Sequence, residues 1–185
     1  KGEFFSDKEP GEVLLTPGNF FRDGGLYFEE RNTKYYNGPI PKEYVLSNGD
    51  LLVVMTDLSP QTLILGRFVL LDKPFKTLHN QRIGKVERLS NLVFDEIYLL
   101  NAVSQESFRN KIVLTATGTT VRHSSPERIL NNQIPYPPIE EQLRISERVS
   151  KIEELIRECG IELGKYRKIK KGLMQDLLTG KVKVV

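Results

Sequence analysis

From Pro138 to Leu178 the chain carries no further proline, and its apolar residues recur every three and four positions. One seam position of the resulting heptad takes Val149, Ile156, Leu163 and Lys170. The other takes Ile152, Cys159, Tyr166 and Leu173, with Ile145 extending the pattern upstream and Leu177 downstream. Such spacing predicts a single amphipathic helix with a coiled-coil seam, a rod of roughly 60 Å at 1.5 Å per residue. A helix of this length either packs across its own domain or meets a partner. A stripe along its whole length, with Arg, Lys and Glu on the other faces, favours a second long helix, because a lone rod leaves the stripe in water. Lys170 falls on the seam, where a charge weakens or registers the packing. Gly160, Gly164 and Gly172 each cost about 1 kcal/mol of helix propensity.

What precedes the helix fixes where it begins. Ile134-Pro135-Tyr136-Pro137-Pro138 cannot be helical, because prolines remove backbone donors and hold φ. It reads as an extended arm, with Pro138 suited to the first helical position and Glu140 and Glu141 to the positive helix end. Thr179-Gly180 supplies a stop, and Lys181 to Val184 alternates as a short tail. The organisation expected is therefore a domain over residues 1–137 and a long helix over 138–185. Lys1 is not an initiator methionine, so the natural N-terminus is expected to be missing or trimmed.

Charge divides along the same line. Residues 1–142 carry 16 Lys and Arg against 18 Asp and Glu, whereas residues 143–185 carry 11 against 6. The basic excess therefore sits on the helix, and any anion-binding face of the domain must be a local patch. No apolar run approaches the roughly 18 residues of a membrane helix, and one cysteine excludes an internal disulfide; both point to a cytoplasmic chain.

The first 130 residues read as short strands and loops. Val13 to Leu15 ends at the turn Thr16-Pro17-Gly18, and Glu29 to Lys42 reads as a connector. Leu51 to Val54 is a buried-strand candidate, Leu63 to Leu71 a second strand interrupted at Gly66-Arg67, and Ile83 to Leu89 a third. Residues 94–110 favour a helix, and Val113 to Thr117 a strand. The class is α+β: a mixed α/β domain followed by a long coiled-coil helix.

The arm with Ile139-Glu140-Glu141-Gln142, and the closing run Gly172-Leu-Met-Gln-Asp-Leu-Leu-Thr-Gly-Lys-Val-Lys-Val184, resemble the shared helical region of type I restriction–modification specificity subunits. Thr16-Pro-Gly-Asn19, Gly49-Asp-Leu-Leu52, Asn80-Gln-Arg-Ile-Gly84 and Gly118-Thr-Thr120 with Arg122-His123 resemble, more loosely, landmarks of the target-recognition domain in that family. That domain varies within the family because it determines which sequence is read. The resemblance implies a non-catalytic, sequence-specific DNA recognition subunit. It would direct a methyltransferase subunit and a restriction or motor subunit to a bipartite target in double-stranded DNA. Complete members carry two recognition domains and two antiparallel helices, so this chain is either half of a longer subunit or a half-sized one that forms a homodimer through the helix. S-adenosylmethionine, ATP and Mg are expected on the partner subunits, with no cofactor on this chain. The alternative is a coiled-coil interaction module whose α/β domain binds a ligand other than nucleic acid.

The residues fit a chain without its own catalytic site. Tyr136-Pro137-Pro138-Ile139 lacks the Asn or Asp and the trailing aromatic that hold a target amine, and no phosphate loop is present. His79, His123 and Cys159 make a poor zinc set. Given the resemblance, loop cations serve phosphates and loop amides and hydroxyls serve base edges. The candidates are Arg22, Lys34, Tyr35 and Tyr36; Thr56 and Gln61, with Ser59, in the Met55–Gln61 turn; Lys76, Gln81 and Arg82; and Thr119, Thr120, Arg122 and His123.

Overall fold

The computed structural model describes residues 2–87 and 91–183. The chain forms two compact units, Lys1–Ile139 and Glu140–Val185. In the first, the strands are β1 (Phe5–Ser6), β2 (Glu12–Leu14), β3 (Lys34–Tyr36), β4 (Val45–Leu46), β5 (Leu51–Val54), β6 (Thr56–Asp57), β7 (Phe68–Leu70), β8 (Thr77–Leu78), β9 (Ile83–Val86) and β10 (Arg122–His123). The helices are α1 (Glu96–Val103), α2 (Glu106–Thr115) and α3 (Pro126–Leu130), and most of the second unit belongs to α4 (Ile139–Leu178).

The apolar run Leu51–Val54 becomes the central strand because both of its faces are covered. In the order β7-β5-β9, β5 pairs antiparallel on both sides, opposing Leu52 to Val69 and to Lys85. Side chains alternate across a strand, so Leu51 and Val53 point into one cluster with Leu65, Phe68, Leu99, Phe108 and Ile112. Leu52 and Val54 point into the other, with Leu15, Phe20, Leu46 and Ile83. A second sheet runs β1-β3-β2-β8-β4, antiparallel apart from the β2–β8 pair. A third consists of β6 and β10 alone.

Several local expectations give way to tertiary packing. The helix expected over 94–110 is two helices: the Asp95 carboxylate caps α1 at the Tyr98 amide, and a break at Ser104-Gln105 separates α2. Val113 to Thr117 is not a strand, since α2 runs through Thr115; Phe108 and Ile112, one turn apart, are its buried residues, and that burial outweighs the β-branched side chains nearby. Between Leu63 and Leu71 only Phe68–Leu70 is strand, because Gly66 turns the backbone at φ +72° with Ile112 packed against it. The connector Glu29–Lys42 contains β3. The Met55–Gln61 turn begins as strand β6. The third strand ends at Val86; residues 88–90, on which its expected continuation falls, lie outside the described residues, as does Val184 of the tail.

The arm is extended as expected. The Tyr98 hydroxyl donates to the Pro135 carbonyl, and the Tyr136 hydroxyl both donates to the Val93 carbonyl and accepts from its amide. Helix α4 is continuous over 40 residues, with Glu140 and Glu141 in its first turn. Gly180 ends it at φ +71°, its amide donating to the Leu177 carbonyl. Of the expected seam, Ile145 and Val149 are half-buried. Ile152, Ile156, Cys159, Leu163, Tyr166, Leu173 and Leu177 are exposed. Leu155, Ile169 and Met174 are exposed too, so the apolar stripe is broader than the two seam positions. No helix among the described residues is long and apolar enough to cross a membrane.

Candidate nucleic-acid interface

Three of the predicted loops hang from one strand line. Beyond Val54, the chain leaves the β7-β5-β9 sheet and re-pairs: Thr56 opposes His123 and Asp57 opposes Arg122. The Met55 amide donates to the Arg82 carbonyl, and the Ser124 amide to the Met55 carbonyl. The strand therefore ties the turn after β6, the loop before β10 and the turn before β9 to one core element.

The turn after β6 is held from two sides. One Asp57 carboxylate oxygen accepts from the Ser59 amide and hydroxyl, each at 2.7 Å; the other accepts from the Ile64 and Leu65 amides at 2.7 and 3.1 Å. Asp57 is 2% exposed, so these donors stand in for lost water. From α2, Arg109 donates Nε to the Leu65 carbonyl at 3.0 Å and Nη2 to the Thr62 carbonyl. Thr62 sits at φ +51°, a conformation a β-branched residue adopts only where its surroundings impose it. Arg109 is itself steadied by Glu106, which also accepts from Arg67 at 2.5 Å.

The hydrogen bond from Arg67, with Arg109 beside it, holds the Glu106 carboxyl below its ordinary value of 4.5. A depressed carboxylate contributes stability that is present above pH 4.5 and lost as pH falls through the lowered value. Glu106 is 58% exposed, so solvent screening leaves about 0.5 kcal/mol. Denaturant melts should accordingly place Glu106→Gln slightly below the parent at pH 7, and the two should converge under acid. A gap that persisted after the carboxylate had protonated would contradict this account.

On the opposite side of the turn, Phe20 and Leu26 form a bridge that presents Phe21, Arg22 and Asp23. Asn19 anchors this segment. Its buried side chain accepts from the Thr16 amide and hydroxyl and donates to the carbonyls of Tyr27 and Asn32. Between this tip and the Asp57–Ile64 segment lies a cleft of about 720 Å³. Phe21 stacks on Tyr27 at 4.3 Å along one wall.

The structure divides the predicted contact residues. Arg22, Gln61, Gln81, Arg82, Thr119, Thr120 and His123 are exposed. Thr56 is buried, and its hydroxyl meets His123 Nδ1 at 3.0 Å. Arg122 turns inward, donating to the carbonyls of Val113 and Ala116. Lys34 pairs with Asp7, and Lys76 with Glu12. Tyr35 and Tyr36 are half-buried on β3, where Tyr36 packs against Phe4 and Phe5. Tyr36 and Gln81 line a separate groove of about 290 Å³ with Tyr44 and His79. Sequence reasoning missed the positioning residues Asn19, Asp57 and Arg109. The run Asp57-Leu58-Ser59 did carry a signal, since an Asp two residues before its own backbone partner is a turn signature. Among the described residues no three His, Cys, Asp or Glu side chains could hold a metal ion.

No family model matches the chain. The specificity subunit of the type I restriction enzyme MjaVIII from Methanocaldococcus jannaschii is 28% identical over 155 residues, covering 78% of this chain and 35% of the relative. Among solved structures, the HsdS subunit from Thermoanaerobacter tengcongensis superposes with a TM-score of 0.58 at 17% identity, covering 89% of this chain and 41% of that one. A chain from a structure of complex assembly and conformational transition in the type I R-M system superposes with a TM-score of 0.55 at 14% identity, covering 95% and 40%. The resemblance read from the sequence is borne out, and the solved structures share the α+β fold with its long helix. The chain spans between about a third and two-fifths of the length of these relatives.

Proposed function

We propose that this relative of type I specificity subunits is a sequence-specific DNA recognition subunit, reading duplex DNA with its first unit and assembling through α4. The observation that carries the reading is that the exposed Gln61, Arg82, Thr119 and Thr120 lie on loops tied to one strand line, while Arg22 lines the cleft beside the turn after β6. Polar loop tips on a rigid scaffold suit base-edge and phosphate contacts. On this reading Thr56, Arg122 and His123 shape the loops, while Lys34 on β3 and Lys76 just before β8 serve phosphates at most. Tyr35 and Tyr36 pack the five-stranded sheet.

The stripe on α4 supports assembly with a second long helix, from a second copy or from the remainder of a longer subunit. A methyltransferase subunit and a restriction or motor subunit complete the complex in the cytoplasm. S-adenosylmethionine and ATP with Mg act on those partners, and this chain selects the site without catalysing a reaction.

The test is co-expression with a type I methyltransferase subunit, followed by sequencing of methylated bases. The expected result is one bipartite motif, absent when an unrelated specificity subunit replaces this chain. Methylation indistinguishable between the two complexes would overturn the reading.

A further inference from the structure

Apart from Gln61, the polar side chains at the turn after β6 are engaged within the protein. Thr56 is taken by His123, Ser59 by Asp57, and the Asp57 carboxylate by four donors. What the turn offers outward is Leu58, 59% exposed, with Pro60 and Gln61 beside it. A single exposed leucine is ordinary on a protein surface. This one differs in two respects. The bonds from Asp57 and Arg109 on either side of the turn hold the backbone of Ser59, Thr62, Ile64 and Leu65, so the segment that presents Leu58 is braced from both sides. It also lines the cleft together with Phe21, itself 48% exposed. Within that cleft Arg31 is answered by Glu29 at 2.7 Å, Asp57 is consumed by its donors, and Arg22 is offset by the neighbouring Asp23. The charged lining, Arg22 and Arg31 against Asp23, Glu29 and Asp57, is two positive and three negative, so the cleft does not suit phosphate and its outward chemistry is the apolar surface of Leu58 and Phe21.

We propose that Leu58, on its clamped turn, is a specificity-determining residue that packs against the C5 methyl group of a thymine in the recognised duplex. The inference rests on the DNA-reading role proposed above. In the major groove the thymine methyl is the apolar feature that distinguishes one base pair from the others, and an apolar side chain held rigidly at its position reads it. Preorganisation matters because a side chain that must first be ordered gives up part of the contact.

The experiment uses the complex with the methyltransferase subunit. The motif is first defined by methylation sequencing. Each thymine of the motif is then replaced in turn by deoxyuridine, which lacks only the methyl group, and binding is measured for the parent and Leu58→Ala. For the parent, one replacement is expected to weaken binding about tenfold. Leu58→Ala should bind the unmodified motif about tenfold more weakly and be indifferent to that same replacement, the coupling expected of two groups in contact. Arg22→Ala should lose affinity while retaining the parent's sensitivity to the replacement. Melting transitions of the variants establish that each is folded. The proposal is overturned if no thymine replacement affects the parent, or if Leu58→Ala keeps the full sensitivity. Either result leaves the DNA-reading role intact, because the parent still recognises a defined motif. Failure of the parent to recognise any motif would instead remove that role, and this proposal with it.

Discussion

Replacing Ile156 and Leu163 together with aspartate should abolish assembly through α4 while leaving the first unit folded. Both side chains are exposed, at 65% and 50%, so the free chain has little packing there to lose. Against a second helix they would sit on the seam, where an aspartate forfeits apolar burial of about 1.5–3 kcal/mol and also buries a carboxylate with no partner. Two such positions together cost on the order of 5 kcal/mol, a loss of more than a thousandfold in association. Sedimentation of the parent and the double variant, alone and with the methyltransferase subunit, reads this directly. Glu154→Ala, which removes an exposed ion pair with Arg157, is the matched control and should assemble normally. Association of the double variant at parental strength would show that the stripe is not the contact.

Asp57→Ala should be the most disruptive single change near the candidate interface. It leaves the amides of Ser59, Ile64 and Leu65 without their acceptor, all three partly or fully buried. A buried unsatisfied donor costs about 1–3 kcal/mol, so a combined loss of about 3 kcal/mol is expected. Denaturant unfolding should show the lower midpoint, and sequence preference should fall with it because the turn loses its fixed shape. Asp57→Asn keeps one carbonyl oxygen and should fall between the two. Parental stability in Asp57→Ala would mean that water replaces the carboxylate without penalty.

What could be read from the sequence follows from the range of the interactions involved. The long helix was legible because its heptad, proline-rich start and glycine stop are all local patterns. Strand β5 was legible because a strand covered on both faces is apolar at every position. The end of helix α2 was not, because Val113 and Thr115 carry strand preference and only the burial of Phe108 and Ile112 decides against it. The interface was half legible. Chemistry and loop position picked out Thr56, Arg122 and His123 alongside Gln61 and Thr120. Which of these turn inward depends on the β6–β10 pairing, a contact across 67 residues between Thr56 and His123. No local pattern encodes that pairing.

The turn that carries Leu58 also bears on how readily such a domain can diverge. Its supports act on the backbone: Asp57 binds amides of Ser59, Ile64 and Leu65, and Arg109 binds the carbonyls of Thr62 and Leu65. Backbone groups are present whatever side chain a position bears. Residues 58, 60 and 61 can therefore be exchanged with little effect on the frame beneath them. A lineage under pressure to acquire a new target sequence could change its tip residues singly, with each intermediate still folded and still able to assemble.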